Sequence, residues 1–313
     1  MEIVFGPVPS RRLGRSLGIN TIPSKTCSYG CAYCQVGRTL RPVADRRSFA
    51  VPEDVAAAVA ARVGEVRAAG ERIDYLTFVP DGEPTLDARL GESIEAIRPL
   101  GIPIAVISNG SLLWRPDVRE ALGGADWVSV KVDAVDEQRW RRVNAPHASL
   151  RLDVVLEGIR AFARGFGGTL ASETMVLEGI NDSPDSVAAV AEFLAALPLS
   201  VAYLAVPTRP PARAWARPPD ERALAAAFRE IEARLPVVEL LIGEEGDAFS
   251  STGDLRRDLL AITAVHPMRR AAAAALARQT GSGPDRIEDL IAAGDLVEVS
   301  FGGDRFLVRA VRR

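Results

Sequence analysis

The segment TCSYGCAYCQVGR, residues 26–38, contains all three cysteines of the chain, Cys27, Cys31 and Cys34. Cysteines that only fill a hydrophobic core are usually scattered along a sequence, whereas these three fall within eight positions. Their small, odd number also argues against the disulfide framework of a secreted protein. The spacing therefore indicates a site at which the three thiols act together.

Clustered thiols are compatible with three kinds of site. A structural zinc ion needs four ligands, so His147, His266 or a carboxylate would have to supply the fourth. A redox dithiol formed by Cys31 and Cys34 would leave Cys27 without a role. An iron–sulfur cluster is bound by thiolates, and three cysteines on one short loop can hold three irons of a [4Fe–4S] cluster and leave the fourth open. We favour the cluster, and the other two remain alternatives at this point.

The composition is that of an ordinary globular protein, with 48% hydrophobic and 25% charged residues among 313 and a net charge of −3. The sequence contains neither an apolar run of about 18 residues nor a signal-peptide pattern, so we expect a cytoplasmic protein with no membrane span. Residues 1–47 carry eight basic and two acidic groups. This excess predicts either a solvated basic face or a site that receives an anion.

Strand-like and helix-like segments alternate through most of the chain. Short apolar segments rich in β-branched residues occupy 17–23, 75–79, 103–110, 127–134, 169–179, 201–207 and 237–243. Helical segments occupy 52–70, 87–99, 136–142, 151–164, 184–196 and 219–234. Such alternation is typical of βα units around a parallel sheet. We therefore predict an α/β fold, with a partial (βα)6-type TIM barrel over residues 1–245.

Polar residues follow most of the predicted strands. In barrels of this kind the chemistry lies at the C-terminal ends of the strands, so we expect these residues to share one rim. They are the cysteine segment after the first strand, then Asp81, Gly82 and Glu83, Ser108 and Asn109, Lys131 and Asp133, Glu173 and Thr174, and finally Thr208 and Arg209.

The last part of the chain has a different pattern. We expect a linker over 246–265, followed by a small α+β module over 266–313. Two helical segments, 268–279 and 284–294, precede two alternating strands within 295–311 that flank Gly302 and Gly303, which is typical of a β-hairpin. Two helices followed by a hairpin resemble a winged helix, which would serve either nucleic-acid binding or docking.

The cysteine spacing CxxxCxxC, with Tyr33 directly before Cys34, resembles the signature of the radical S-adenosylmethionine (radical SAM) superfamily. Gly82-Glu83-Pro84 resembles that family's glycine–glutamate–proline motif, although Asp81 stands where a glycine is common. The leader FGPVPSRRLGRSLGIN, residues 5–20, is similar to a subgroup related to the tRNA wyosine-base synthases. The resemblance covers roughly residues 15–245, and the chain lacks the flavodoxin-like domain and second set of cysteines found in some relatives.

The resemblance implies two cofactors, a [4Fe–4S] cluster and S-adenosylmethionine (SAM), and an external one-electron donor of the flavodoxin or ferredoxin type. It implies that the enzyme cleaves SAM reductively and that the resulting 5′-deoxyadenosyl radical abstracts hydrogen from a substrate. By the same resemblance Cys27, Cys31 and Cys34 hold the cluster, Tyr33 contacts the adenine, Gly82 and Glu83 bind the ammonium group of SAM, Ser108 and Asn109 reach its ribose, and Lys131 pairs with its carboxylate.

Other basic residues are candidates for less defined roles. Lys25 is either an amine that forms a Schiff base or, as we prefer, a charge that stabilises the cysteine loop. We expect four arginines to bind an anionic substrate: Arg11, Arg12, Arg15 and Arg209. An RNA base, as in tRNA, is our first expectation for the substrate. A peptide or small metabolite is the second, and an iron–sulfur sensor with a DNA-binding winged helix is the third.

Overall fold

The computed structural model describes residues 2–242, 249–283 and 285–310, and its main feature is a sheet whose strands are ordered as in the chain. Among the described residues its eight strands are β1 (Val4–Ser10), β2 (Gly14–Ile19), β3 (Tyr75–Phe78), β4 (Ile104–Ser108), β5 (Trp127–Lys131), β6 (Thr169–Met175), β7 (Val201–Ala205) and β8 (Val238–Leu241). Strand β1 pairs antiparallel with β2, and β2 to β8 run parallel. The sheet curls into a half-barrel, which confirms the predicted partial TIM barrel.

Helices connect the parallel strands and cover the outer face of the sheet. They are α1 (Pro52–Ala68), α2 (Leu90–Ile97), α3 (Pro116–Gly123), α4 (Glu137–Asn144), α5 (Leu152–Gly165), α6 (Pro184–Ala195) and α7 (Glu221–Glu232). Helices α6 and α7 begin with side-chain caps, since the side chain of Ser183 accepts from Ser186 N and that of Asp220 accepts from Ala223 N. On α1, Val55, Val59 and Val63 recur every four residues and are buried against the sheet.

Two elements of the barrel escaped the sequence prediction. Strand β1 contains Gly6, Pro7 and Pro9, which argue against a strand. It is nevertheless stable, because it lies at the edge of the sheet, where a missing N–H donor is tolerated. Helix α3 is short, and its one clear signal is Pro116 in the first turn, followed by Asp117.

A second, smaller sheet lies in the C-terminal part of the chain. The elements are α8 (Leu255–Val265), β9 (Met268–Arg269), α9 (Arg270–Gln279), α10 (Asp285–Ala292), β10 (Leu296–Phe301) and β11 (Asp304–Arg309), and the strand order is β10-β11-β9. Gly302 and Gly303 form the turn of the predicted hairpin, both with positive φ, at 60° and 89°. The division at residues 245 and 266 stays a prediction.

Helix α8 lies within the segment 246–265, which we expected to be a linker. The predicted linker therefore contains a helix at Leu255–Val265 that the sequence analysis did not foresee, and 243–248 lie outside the described residues. The helix forms because Asp254 caps its first turn by accepting from Arg257 N, and because apolar residues at 255, 259 and 262 share one helix face. This periodicity was present in the sequence, but the polar stretch before it concealed the start of the helix.

The C-terminal elements share an apolar core with the first strand of the barrel. Phe5 and Val8 of β1 pack in one cluster with Leu259, Ile262 and the buried residues of α9, α10 and the hairpin. Val36, two residues after Cys34, and Val79, at the end of β3, pack against the same cluster. The C-terminal elements therefore form one wall of the cysteine site. Separately, no helix among the described residues has the length and hydrophobicity that a membrane span needs.

A Phe5→Ala substitution is expected to destabilise the fold by about 3 kcal/mol, because it removes a buried ring from this shared core and leaves a cavity. Urea unfolding followed by circular dichroism would measure the loss. Leu40→Ala is the control, since Leu40 is 71% exposed and its truncation should cost almost nothing. Equal midpoints for both variants would contradict the packing described.

Candidate active site

The cysteine loop is fixed to the loop that follows β3. Lys25 N donates to Asp81 O at 2.8 Å, and Glu83 N donates to Thr26 O at 3.0 Å, which extends the parallel pairing of β2 and β3 past the ends of the strands. Gly82 is required at this approach, because a Cβ there would lie 2.1 Å from Thr26 O. The start of the cysteine loop is therefore positioned by the glycine of the Gly82-Glu83-Pro84 motif.

The middle of the cysteine loop is fixed from the opposite side by the end of α4. Ala32 N donates to Val143 O at 2.8 Å, and Gly30 N donates to Asn144 O at 2.9 Å. Tyr29 packs edge-on against Trp140 and accepts from its indole N–H at 3.1 Å. The loop thus spans from the β3 side of the barrel to the end of α4, and its start and its middle are held by main-chain bonds.

The three cysteines are partly buried, free of disulfides and accompanied by amide donors. Asn109 Nδ2 lies 3.6 Å from Cys27 Sγ, and Asn144 Nδ2 lies 3.6 Å from Cys31 Sγ. Burial, with a smaller effect of the Asp133 carboxylate, raises the pKa of Cys31 to about 12. Burial also raises the pKa of Cys27 and of Cys34. The metal-free thiols are therefore protonated at neutral pH, and loading a metal must release those protons.

Glu83 links the loops that follow β3 and β4. Its Oε1 accepts from Thr85 N at 3.1 Å, from Thr85 Oγ1 at 2.7 Å and from Ser108 Oγ at 2.7 Å, while Oε2 accepts from Asn109 N at 2.8 Å. Burial raises the pKa of Glu83, and these donors oppose that rise by stabilising the carboxylate. Because both oxygens are engaged, the side chain serves first to orient Ser108 and Asn109.

Ser108 and Asn109, predicted to reach a ribose, point into the same network. Ser108 Oγ accepts from Gly110 N at 3.0 Å, and Asn109 Oδ1 accepts from Ser111 N at 2.9 Å. Asn109 Nδ2 also donates to Ser28 Oγ of the cysteine loop at 2.8 Å. These contacts place Asn109 beside Cys27 and Ser108 beside Glu83, and the predicted contact of both residues with a ribose stays a prediction.

Asp133 is a second link, and the sequence analysis named it only as a rim residue. Its carboxylate accepts from Tyr33 Oη at 2.5 Å, from Asn144 Nδ2 at 2.6 Å and from Met175 N at 2.8 Å. The phenol of Tyr33 is therefore committed to Asp133. Asn144 was missed altogether because it lies at the end of a helix, with no motif around it. Only the fold shows that the end of α4 brings the Asn144 amide close to Cys31.

Lys131 lies at the end of β5 and pairs with Glu173, its register partner on β6. Arg12, in the turn between β1 and β2, reaches into the barrel and pairs with the same carboxylate. The Lys131 ammonium also lies 5.2 Å from the centre of the Tyr33 ring. The family resemblance assigned Lys131 to the carboxylate of SAM, and in the structure its ion-pair partner is Glu173.

Lys25 and Asp81 form an ion pair beside the cysteine loop. Lys25 Nζ lies 3.0 Å from Asp81 Oδ1, and Ser24 Oγ donates to Asp81 Oδ2 at 2.6 Å. Asp81, which stands where the family pattern commonly has glycine, thus has a defined partner on the opposite loop. Among the influences on Cys34, burial raises its thiol pKa most, while the Lys25 charge lowers it.

The remaining arginines separate into two groups. Arg11, Arg12 and Arg209 line a cavity inside the half-barrel, whose wall also includes Tyr33 and Cys34. Arg15 lies at the opposite, amino-terminal end of the parallel strands, where its guanidinium bonds to Glu71 and to Ser250 Oγ. The structure thus does not bring Arg15 to the cysteines. The cause is its place at the start of β2, about five residues before the rim.

Arg209 connects the cysteine loop to the C-terminal part. It donates to Gln35 Oε1 at 3.0 Å and lies 2.9 Å from His266 Nε2. Gln35 directly follows Cys34, and its Nε2 also contacts Val265 O at 3.3 Å. Arg209 thereby connects the segment after β7 to the cysteine loop and to the C-terminal elements.

The donor set fits a cluster of several irons. Within the described residues, no three His, Cys, Asp or Glu side chains converge as a single metal ion requires. A [4Fe–4S] cluster has no such requirement, because each thiolate binds its own iron. Amide N–H groups directed at sulfur, as at Cys27 and Cys31, are the contacts that tune such clusters.

The sequence profile described as the radical SAM superfamily matches residues 21–194, which is more than half of the chain. The chain therefore belongs to the radical SAM superfamily, whose members are enzymes that use SAM and a [4Fe–4S] cluster. This finding confirms the predicted family, the class of protein and the two cofactors.

A more particular relationship comes from whole-chain similarity. The UPF0026 protein MJ1312 of Methanocaldococcus jannaschii is 44% identical over 315 residues, covering 100% of this chain and 97% of that protein. A UPF0026 protein of Helicobacter pylori strain 26695 is 36% identical over 211 residues, covering 66% of this chain and 67% of that protein.

Solved structures share the fold. A radical SAM methyltransferase from Sphaerobacter thermophilus superposes with a TM-score of 0.56 at 15% identity, over 73% of this chain and 67% of that one. SuiB of Streptococcus suis, solved with SAM bound, superposes with a TM-score of 0.51 at 13% identity, over 71% of this chain and 49% of that one.

Proposed function

We propose that this enzyme cleaves SAM reductively and uses the resulting radical to abstract hydrogen from a substrate. When bound to Cys27, Cys31 and Cys34, a [4Fe–4S] cluster would supply the electron that breaks the carbon–sulfur bond of SAM, giving methionine and a 5′-deoxyadenosyl radical. The observation that carries the proposal is the loop itself. Three free thiols, two of them facing amide N–H donors, lie on a loop whose start is bonded to the Gly82-Glu83-Pro84 motif.

The protein's own residues position the reactants and exclude water. Asn109 and Asn144 donate toward the cysteine sulfurs. We propose that the main-chain oxygen of Gly82 accepts from the ammonium group of SAM, because the side-chain oxygens of Glu83 together accept four hydrogen bonds and its main-chain oxygen accepts from Leu86 N. The roles of Tyr33 at the adenine and of Ser108 and Asn109 at the ribose stay predictions.

Anaerobic reconstitution tests the proposal directly. The protein is loaded with iron and sulfide, reduced with dithionite and mixed with SAM, and 5′-deoxyadenosine is quantified by chromatography. We expect a cluster spectrum and the nucleoside from wild type, and neither from the triple variant Cys27/Cys31/Cys34→Ala. A reduced cluster that never yields the nucleoside, with SAM bound and a panel of candidate substrates present, would overturn the proposal.

We propose a substrate related to nucleotides or RNA bases. The leader at residues 5–20 resembles the wyosine-base synthase subgroup, and a probable GTP 3′,8-cyclase of Pyrococcus horikoshii is 24% identical over 163 residues, covering 51% of this chain and 46% of that protein. A peptide or another small metabolite is the alternative. An external flavodoxin or ferredoxin in the cytoplasm would supply the electron. Copurification of tRNA with the native protein would favour the RNA base.

The sensor alternative is less favoured by the charges of helix α10. If the module is a winged helix, α10 precedes the hairpin as its reading helix. This helix carries Asp285, Glu288 and Asp289. Carboxylates there repel phosphates and oppose the salt-dependent attraction on which DNA binding rests.

Replacing Lys25 by methionine is expected to lower the reduction potential of the loaded cluster. Lys25 places a positive charge near Cys34, and its loss also leaves Asp81 without its cation, so an added electron is less stabilised. EPR-monitored redox titration measures the shift, and Lys25→Arg, which keeps the charge, should stay close to wild type.

The same titration contains an opposite test. Asp81→Asn removes the negative member of the pair and should raise the potential. A higher potential for Lys25→Met would contradict the electrostatic role. Covalent trapping of labelled pyruvate on Lys25 by borohydride would instead support the Schiff-base alternative.

A further inference from the structure

An exposed tryptophan lies in the proline-rich segment that follows β7. Trp215 is 43% exposed, and the guanidinium of Arg142, in the last turn of α4, lies 5.9 Å from the centre of its ring. A cation at this distance is attracted to the electron-rich face of the indole. The two side chains therefore present an aromatic ring and a positive charge together on the surface.

The turn that carries Trp215 is fixed to the cysteine loop. Arg213 N donates to Ala32 O at 2.9 Å, and Ala216 N donates to Arg213 O at 2.9 Å, which closes a tight turn around Trp215. Ala216 is fully buried, in one apolar cluster with Ala32 and Tyr33. Because main-chain bonds and packing both hold this turn, the ring of Trp215 has a defined place at the surface beside the three cysteines.

Three exposed arginines accompany this ring. Arg142 contacts it, and Arg213 and Arg217 lie two positions to either side of Trp215. Within the part of the chain that the structure describes, none of the three guanidinium groups forms a salt bridge or a hydrogen bond. Glu178 is bonded to the segment only through its N–H, which donates to Arg217 O at 3.0 Å. Exposed positive charges of this kind attract polyanions.

The polarity of the surface favours a nucleic acid over a protein as its partner. Protein interfaces depend on a desolvated apolar centre. Trp215 is the one large hydrophobic side chain that is exposed in the segment 207–219, and the exposed residues of α4 are all polar. A single ring among cations suits instead the stacked bases and the phosphates of a single strand.

The position of the surface suits a base that belongs to a longer chain. Pro207 and Thr208, at the start of the same segment, line the cavity inside the half-barrel, as does Tyr33, the neighbour of Ala32. The cavity volume of about 270 Å³ is near the lower limit of small-molecule sites, so it admits a single base and excludes a polymer. The remainder of the strand would stay outside, as in enzymes that draw one base out of a stack.

We propose that Trp215, Arg142, Arg213 and Arg217 bind single-stranded RNA, with one base stacked on the indole and the neighbouring phosphates at the arginines. The proposal rests on the proposed function, because the bound RNA presents the base from which hydrogen is abstracted. It narrows the substrate from nucleotides in general to a base within a polynucleotide. It also gives the proline-rich segment a task, which is to hold the ring in place beside the cysteine loop.

Fluorescence anisotropy measures this binding without any turnover. A labelled single-stranded RNA of about 12 nucleotides, a length within the range that single-strand sites cover, is titrated into reconstituted protein at several KCl concentrations without SAM. Trp215→Leu keeps apolar bulk but removes the ring, so it should weaken binding about 5-fold or more, whereas Trp215→Phe should stay closer to wild type. Arg142→Gln and Arg213→Gln should each reduce the slope of log affinity against log salt by about 0.7.

A second exposed tryptophan supplies the matched control. Trp114 is 42% exposed, and the Arg115 guanidinium lies 5.7 Å from its ring centre, but Asp117 neutralises that cation through two hydrogen bonds of 3.0 Å. Trp114→Leu and Arg115→Gln should therefore leave both the affinity and its salt dependence unchanged. An equal loss of affinity in Trp114→Leu and Trp215→Leu would overturn the assignment of the site.

Two further results would also overturn the proposal. The first is the absence of RNA binding in wild type, or equal affinity in wild type and Trp215→Leu. The second is displacement of the RNA by polyglutamate at equal charge concentration with no dependence on Trp215, which would indicate an acidic protein as the partner. SAM cleavage is measured separately, so a wild-type enzyme that forms 5′-deoxyadenosine without binding RNA contradicts this inference and leaves the proposed function intact.

Discussion

A Gly82→Ala substitution is expected to reduce iron binding by roughly 10–100-fold, the range seen when the support of metal ligands is removed. A Cβ at this position would lie 2.1 Å from Thr26 O and 2.8 Å from Ile22 Cγ2. The nearer atom belongs to the main chain directly before Cys27, so it cannot rotate away. The two loops must separate, and the bond from Glu83 N to Thr26 O is lost with them.

Iron and sulfide content after anaerobic reconstitution measures this effect, with circular dichroism to verify that the barrel remains folded. Gly64→Ala is the matched control. Gly64 is within α1, has nothing within 4 Å of the added Cβ, and should be neutral or slightly stabilised by the better helix former. Wild-type iron content in Gly82→Ala would show that the approach of the two loops does not position the cysteines.

An Asp133→Ala substitution is expected to destabilise the fold by roughly 3–6 kcal/mol and to weaken iron retention. The buried donors of Tyr33 and Asn144 lose their acceptor at about 1–3 kcal/mol each, and the part-buried N–H of Met175 adds a smaller loss. Such a loss is a large part of the 5–15 kcal/mol that holds a typical domain folded. Asn144, no longer held, also loses its orientation toward Cys31.

Asp133→Asn separates the two consequences. It keeps an acceptor oxygen for Met175 N while weakening the bonds from Tyr33 and Asn144, so its unfolding midpoint should fall between those of wild type and Asp133→Ala. Urea unfolding of the iron-free proteins gives the stability, and the rate of iron loss to a chelator gives retention. Wild-type behaviour of Asp133→Ala in both assays would exclude Asp133 as the link between β5, β6 and the cysteine loop.

The sequence was most informative where a residue type has few alternative uses. Three thiols in one loop, and short apolar strands alternating with helices, predicted the family and the half-barrel. Prediction failed where tertiary context overrides local preference. The prolines of β1 are acceptable at a sheet edge, and α8 is stabilised by packing against β1.

In the candidate site, too, the motif residues were predictable from the sequence, whereas the contacts set by tertiary structure were not. The motif residues around Cys27, Gly82 and Asn109 do meet at one rim. Arg15 was grouped with them by charge alone, and it lies at the other end of the barrel because strand direction, not charge, determines its position. Asn144 and the convergence of Arg12 on Glu173 depend on contacts between segments more than 100 residues apart in sequence.

The apolar core shared by β1 and the C-terminal elements has a consequence for the order of assembly. Phe5 and Val8 emerge first during synthesis, yet their partners from Phe249 to Leu307 emerge last. Contacts of such long sequence separation form slowly. The cysteine loop should therefore remain accessible on the ribosome until the C-terminal helices pack beside Val36. We expect iron to reach the three thiols most easily in that interval, because the C-terminal elements later cover one side of the loop.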